Sequence, residues 1–320
     1  MIIAKTMILK ITSIWPKQKT KTFILAAAQV DMVQKITFMK LSERAKQTYI
    51  ERFSELSEVK RFHFATRLKN FQKASEFDDY LQNNIPPADL AEILENNDFT
   101  QVNFYERRKD YFEKYDRLYS LEAALFLVNH LKNEYDIDIR EELTKLYSEA
   151  DIYALCDKLL ADKKALKELS TYAVNVLCLS EQLYPRKNDV VYRLCDFVLE
   201  GGLDKNQLMV YFVTHIILCS TNFYTQSVPE RYELPFRAML DLCEDYILRN
   251  FAEVSLDVKL EYLVCAQLVN AETSLEDAIR EECEGNMSPE GFLLDERRPS
   301  RFNDLEGSEH RNVLFVMSGL

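Results

Sequence analysis

The chain has 320 residues, 47% hydrophobic and 29% charged, enough length and apolar content for a full buried core and too much for wholesale disorder. Its 52 acids outnumber 40 lysines and arginines, for a net charge of −12 at pH 7. Only six glycines occur, none before Gly201, so phosphate-cradling loops and strand-to-helix elbows lack their usual material, and the expectation of nucleotide chemistry falls.

Residues 1–30 hold five lysines and no acid, with apolar runs at 7–9 and 23–28. The second run is short, follows Lys17, Lys19 and Lys21, and leads into Gln29 and Asp31. A basic N-terminal segment is therefore expected rather than a targeting peptide. Residues 1–14, rich in β-branched side chains, fit a short strand or an extended arm. No run of 18 apolar residues exists, so no membrane-spanning segment is expected.

Helical periodicity dominates from residue 22 and predicts helices near 22–40, 42–54, 56–74, 88–96, 104–117, 120–134, 139–147, 150–162, 165–183, 188–200, 204–222, 230–250, 254–270 and 273–283. Breakers agree: Pro86 and Pro87 close one segment, Ser120 with Glu122 opens a helix, Pro185 follows one, and Gly201 and Gly202 end another. The predicted fold is all-α, built from stacked antiparallel helix pairs. The pairs either form an open solenoid or close into an α/α ring, and the sequence does not choose.

Charge divides the chain. Residues 1–75 carry 15 lysines and arginines against five acids, a net +10, leaving −22 on the remainder. The basic part either meets an external polyanion or docks on the acidic body. Its densest stretch, Lys60, Arg61, Arg67, Lys69 and Lys73, alternates with Phe62, His63, Phe64 and Phe71, a pattern that suits nucleic-acid or anion binding. Helical spacing of the same aromatics favours the plainer assignment of a core stripe with a solvated basic face. Tyr111, Tyr115 and Tyr119, spaced by four among basic residues, are either a partner-binding face or packing residues. The expected organisation is a basic N-terminal region over 1–85, an acidic helical body over 86–283, and a linker with a C-terminal anchor over 284–320.

A repeat is the strongest internal signal. Around Cys156, Cys195 and Cys243, leucine precedes the cysteine, an acid follows it, and apolar residues stand three and four beyond. A second class, Cys178, Cys219 and Cys265, follows each by 22 to 24 residues. The unit is a helix pair of about forty residues. That period exceeds a tetratricopeptide unit, whose signature is missing, and matches HEAT-like stacks in length alone. Seven cysteines without a Cys-x-x-Cys pair read as free thiols in a reducing, cytoplasmic setting.

From 284 to 307 come three glycines and two prolines, expected as a mobile linker. Val313, Leu314 and Phe315 then form a terminal anchor that either folds back on the body or fills a partner groove. No catalytic residue, cofactor or metal site is expected. Asp78 and Asp79 lack a second cluster for magnesium, and His215 with Cys219 lacks further zinc ligands and reads better as a buried histidine bonded to a neighbour. The leading functional expectation is a non-enzymatic interaction or scaffold protein that binds a protein partner or its own copy. The alternatives are an all-helical enzyme with a pocket between helices, or a nucleic-acid-associated component using the basic region.

Overall fold

The computed structural model describes residues 41–100, 102, 105–186 and 189–319. The expected arm over 1–14 and helix over 22–40 lie outside them. Residues 41–51 are helical and lead into α1 (Glu58–Gln72). There follow α2 (Asp78–Asn83), α3 (Leu90–Glu95), α4 (Tyr105–Lys114), α5 (Leu118–Tyr135), α6 (Arg140–Leu146), α7 (Glu149–Ala161), α8 (Lys163–Leu169) and α9 (Thr171–Leu183). The chain continues through α10 (Val190–Leu199), α11 (Gln207–Ser220), α12 (Glu230–Arg249), α13 (Leu256–Leu268), α14 (Glu276–Gly285) and α15 (Glu309–Ser318). Among the described residues the only β feature is an isolated bridge between Met287 and Leu293.

Short polar residues start these helices by accepting backbone N–H groups that would otherwise lack partners. Ser148 accepts from Asp151, Asp162 from Ala165, Asp189 from Tyr192, and Asn206 from Leu208 and Met209. Left-handed residues stop others, at Lys73, Asp136 and, just past α10, Gly201. The single helix expected over 165–183 is two, because Ser170 turns to φ 50° between α8 and α9. The apolar spacing of Leu166, Leu169 and Ala173 runs straight through that break and conceals it.

The two cysteine classes mark two layers. On α7, α10 and α12, burial follows a stripe such as Ile152, Leu155, Cys156 and Leu159, the signature of an outer helix with one face on the core. Asp157 and Asp196, just after their cysteines, face solvent, whereas Glu244 is half-buried and bonded to Ser274. On α9 every residue from Ala173 to Ser180 is buried, and on α13 every residue from Leu256 to Ala266. Helices covered on all sides form the centre of the inner layer, which α5, α15 and α1 extend. Each outer helix leans on the inner helix that follows it, which makes a helical-repeat body.

Inner helices also contact one another in series, α5 with α9, α9 with α11, α11 with α13, α13 with α15, and α15 with α1. α1 in turn reaches α5, where the Phe62 and His130 rings meet at 4.7 Å and Lys69 bridges Glu134 at 3.1 Å. Residues 284–307, expected as a mobile linker, are packed. Phe292 and Leu293 are buried, and the buried carboxylate of Asp295 accepts Leu256 N–H at 2.7 Å at the start of α13.

Pro235 sits inside α12 and leaves the Arg231 carbonyl without its helical donor. The Tyr192 hydroxyl supplies one at 2.8 Å. Tyr192→Phe is therefore expected to lower stability by about 1 kcal/mol, read as a reduced urea midpoint at unchanged m-value.

No described helix is long and apolar enough to cross a membrane. All seven cysteines are free and buried. Burial pushes the Cys156 thiol up to about 11 and that of Cys195 up to about 12, so both are unreactive at neutral pH.

Candidate functional site

The inner helices bury polar side chains where a plain core would have none. Glu122 on α5 accepts the Asn175 amide N–H from α9 at 2.7 Å. The Asn175 carbonyl oxygen stands 2.9 Å from Nδ1 of His215 on α11. His215 Nε2 lies 4.0 Å from Oε1 of Glu261 on α13, and the other Glu261 oxygen lies 3.6 Å from His310 Nε2 on α15. The His310 ring stands 5.9 Å from that of His63 on α1, whose Nδ1 meets Glu309 at 2.9 Å. Each of the six inner helices thus contributes to one continuous polar row.

Local sequence explains the register. Asn175, His215 and Glu261 stand three or four residues before Cys178, Cys219 and Cys265, one helical turn from the recurring cysteine. The expectation that His215 is bonded to a neighbour is met by Asn175, although its role in a six-helix row was not anticipated. The rings stay accessible, with side-chain exposures of 22% for His215, 32% for His310 and 34% for His63. Water reaches all three.

Electrostatics separate the carboxyls. Burial pushes Glu122 up to about 7, against a weaker pull from the Asn175 hydrogen bond. Burial would raise Glu261 as well, but the hydrogen bonds from His310 and the Thr214 hydroxyl help to outweigh it and hold the carboxyl below its ordinary value. Burial also pulls His215 below its ordinary value, so its imidazole is neutral at pH 7. An amide oxygen only accepts, so Nδ1 of His215 donates to Asn175 and Nε2 keeps its lone pair.

At the other end, burial and the neighbouring Arg67 bring His63 down to about 4. Burial alone would raise Glu309, yet the surrounding positive groups bring it down to about 2. Because His63 is neutral at pH 7, Arg67 and Lys60 are the charges that hold Glu309 ionised.

Glu122 yields a pH prediction. Its folded value of about 7 lies above the ordinary 4.5, so the folded state holds the proton more tightly. The corresponding stability is present below pH 4.5 and lost as pH rises through 7. Glu122→Gln, which keeps the neutral shape, is expected to be near neutral at pH 5 and to stabilise by roughly 2–3 kcal/mol at pH 8. Urea unfolding at both pH values measures this, and an equal effect at both would contradict it.

The basic stretch turns inward. Lys60 bridges Glu309 at 3.2 Å, Lys69 bridges Glu134, and the exposed Lys73 caps the Asn70 carbonyl at 2.9 Å. Arg67 packs beside His63, and Arg61 is half-buried. Of the five, Lys60 and Lys69 thus meet acids from elsewhere in the chain, Glu309 and Glu134. Tyr111 and Tyr119 are half-buried against the core, and Tyr115 is buried with its hydroxyl donating to Asp162 at 2.8 Å.

Val313, Leu314 and Phe315 require a correction as partner-binding residues. They are fully buried on α15, which packs between α13 and α1, so a partner groove cannot receive them. Among the described residues, no group of three or more His, Cys, Asp or Glu could hold a metal ion. Asp78 is half-buried, Asp79 is exposed, and both lie on the short α2. Compared with protein family models, with curated proteins and with solved structures, the chain shows no match.

Proposed function

We propose that this chain is an all-helical enzyme that performs acid–base chemistry on a small molecule at the polar row of its inner helices. The observation that carries the reading is the constellation Glu122, Asn175, His215 and Glu261. It combines a carboxyl that holds a proton near neutrality, a neutral imidazole with a bare Nε2, and an ionised carboxylate 4.0 Å from that nitrogen. Titratable neighbours whose environments push them apart are how one site holds an acid and a base at the same pH.

In this reading His215 Nε2 takes a proton from the substrate. Asn175 fixes its tautomer, and Glu261, 4.0 Å from the nitrogen that takes the proton, stabilises the imidazolium that forms. Glu122 is the proton donor at the far side of Asn175. His310 and the His63–Glu309 pair line the continuation of the row and hold polar groups of the substrate.

The test is incubation of the purified chain with a small-molecule extract, followed by untargeted mass spectrometry. A compound consumed by the native protein should persist with His215→Ala and with Glu261→Gln, while thermal melts show that both variants remain folded. Conversion that is equal in all three proteins, or no conversion by the native protein, overturns the reading.

A further inference from the structure

We propose that the cavity between α1, α5 and residues 222–225 binds an uncharged, planar, ring-bearing small molecule with hydrogen-bonding edges. The cavity measures about 520 Å³, within the range of pockets that enclose small ligands. Its lining includes Phe62, Phe126, Phe223 and Tyr224, with Pro86 and Pro87, so a flat ring finds flat apolar partners.

A second, independent observation lies at the same place. Thr66, Tyr80 and His130 also line the cavity, and the Thr66 Oγ1, Tyr80 Oη and His130 Nε2 atoms are shut off from water with no hydrogen-bond partner among the described residues. Folded proteins leave few such atoms, because each forfeits its hydration without return. These atoms are turned away from the void, so an occupant supplies their partners by drawing the Thr66, Tyr80 and His130 side chains toward it. Hydroxyl, phenol and neutral imidazole all serve donors and acceptors alike, which suits a heteroaromatic edge carrying both.

Charge argues for a neutral ligand. Of the charged residues in the lining, Glu134 is paired with Lys69, Arg67 packs against His63 beside the Glu309 carboxylate, and Glu58 is exposed. With Lys60 already bridging Glu309, the charges that remain are Arg67 and Glu58, one of each sign, so the lining has no net charge for an ion to neutralise. Arg67 and His63 also belong to the polar row, so a molecule seated here lies against its α1 end. Binding alone does not depend on the proposed catalysis.

The experiment is saturation-transfer NMR on the full chain, with indole, benzimidazole and adenine as planar probes and cyclohexanol and myo-inositol as non-planar ones. The planar probes are expected to bind and the others not. Val59 lines the cavity and is 75% exposed, so Val59→Trp obstructs it without disturbing the core and should weaken planar-probe binding at least about tenfold. Tyr80→Phe should weaken benzimidazole and adenine by roughly five- to tenfold. Absence of planar-probe binding, as for a pocket filled only with water, overturns the proposal. So does binding that Val59→Trp leaves unchanged, and that variant remains decisive if Tyr80→Phe fails to fold. Planar-probe binding without turnover supports this inference and counts only against the proposed function. His215-dependent turnover without probe binding does the reverse.

Discussion

A chain ending at Gly307, and so lacking α15, is expected to lose its cooperative fold. Val313, Leu314, Phe315, Val316 and Met317 are all buried, at roughly 1.5–3 kcal/mol apiece and about 8–15 kcal/mol together, which equals the whole stability of an ordinary domain. The loss is not only apolar. Buried Asn312 accepts the Leu293 N–H at 2.7 Å, and Gln72 on α1 and Gln267 on α13 donate to the Val316 and Ser318 carbonyls. Removing α15 strips the face between α1 and α13. Near-ultraviolet circular dichroism and thermal unfolding decide the matter, because a terminal segment merely resting on a finished body would leave a sharp transition within about 5 °C of the full chain's.

Arg311 carries the next largest expectation. Its guanidinium is buried and reaches Asp257 at 3.1 Å, Asn303 at 3.1 Å, and the Leu293 and Phe302 carbonyls at 3.3 Å. Arg311→Met leaves a nearly buried carboxylate and two carbonyls without that donor, and should destabilise the fold by about 3–5 kcal/mol. For a chain of this size the melting temperature should fall by roughly 5–7 °C. Asp257→Leu in the same chain removes the stranded charge and should recover part of the loss, so a double variant no more stable than Arg311→Met alone would contradict the pairing.

The helix-pair body was legible because its cause is periodic. The cysteine-centred repeat separates outer helices such as α7 from inner ones such as α9, and the acids at Asp157 and Asp196 point outward as their position after the cysteine implies. The site was not legible for the same reason. Asn175, His215 and Glu261 interrupt an apolar stripe at one recurring register, yet a sequence does not say that successive helices bring that register together. Glu122, His63 and His310 lie outside the three clear repeats and join the row only through the packing of α5, α1 and α15.

The terminal anchor was recognised as apolar, but its place between two inner helices depends on contacts with residues some 240 positions away, such as Gln72 with Val316. Charge asymmetry between the basic N-terminal region and the acidic remainder was visible as a sum. Which acids receive Lys60 and Lys69 was set by the fold.

The proton arrangement at His215 is the centre of the account, and ¹⁵N-edited NMR of histidine-labelled protein reads it directly. The predicted result is a His215 ring protonated at Nδ1 and bare at Nε2, remaining neutral until the pH falls below its ordinary value of 6.5. A proton on Nε2 at pH 7, or titration at or above 6.5, would contradict the assignment of His215 as the base.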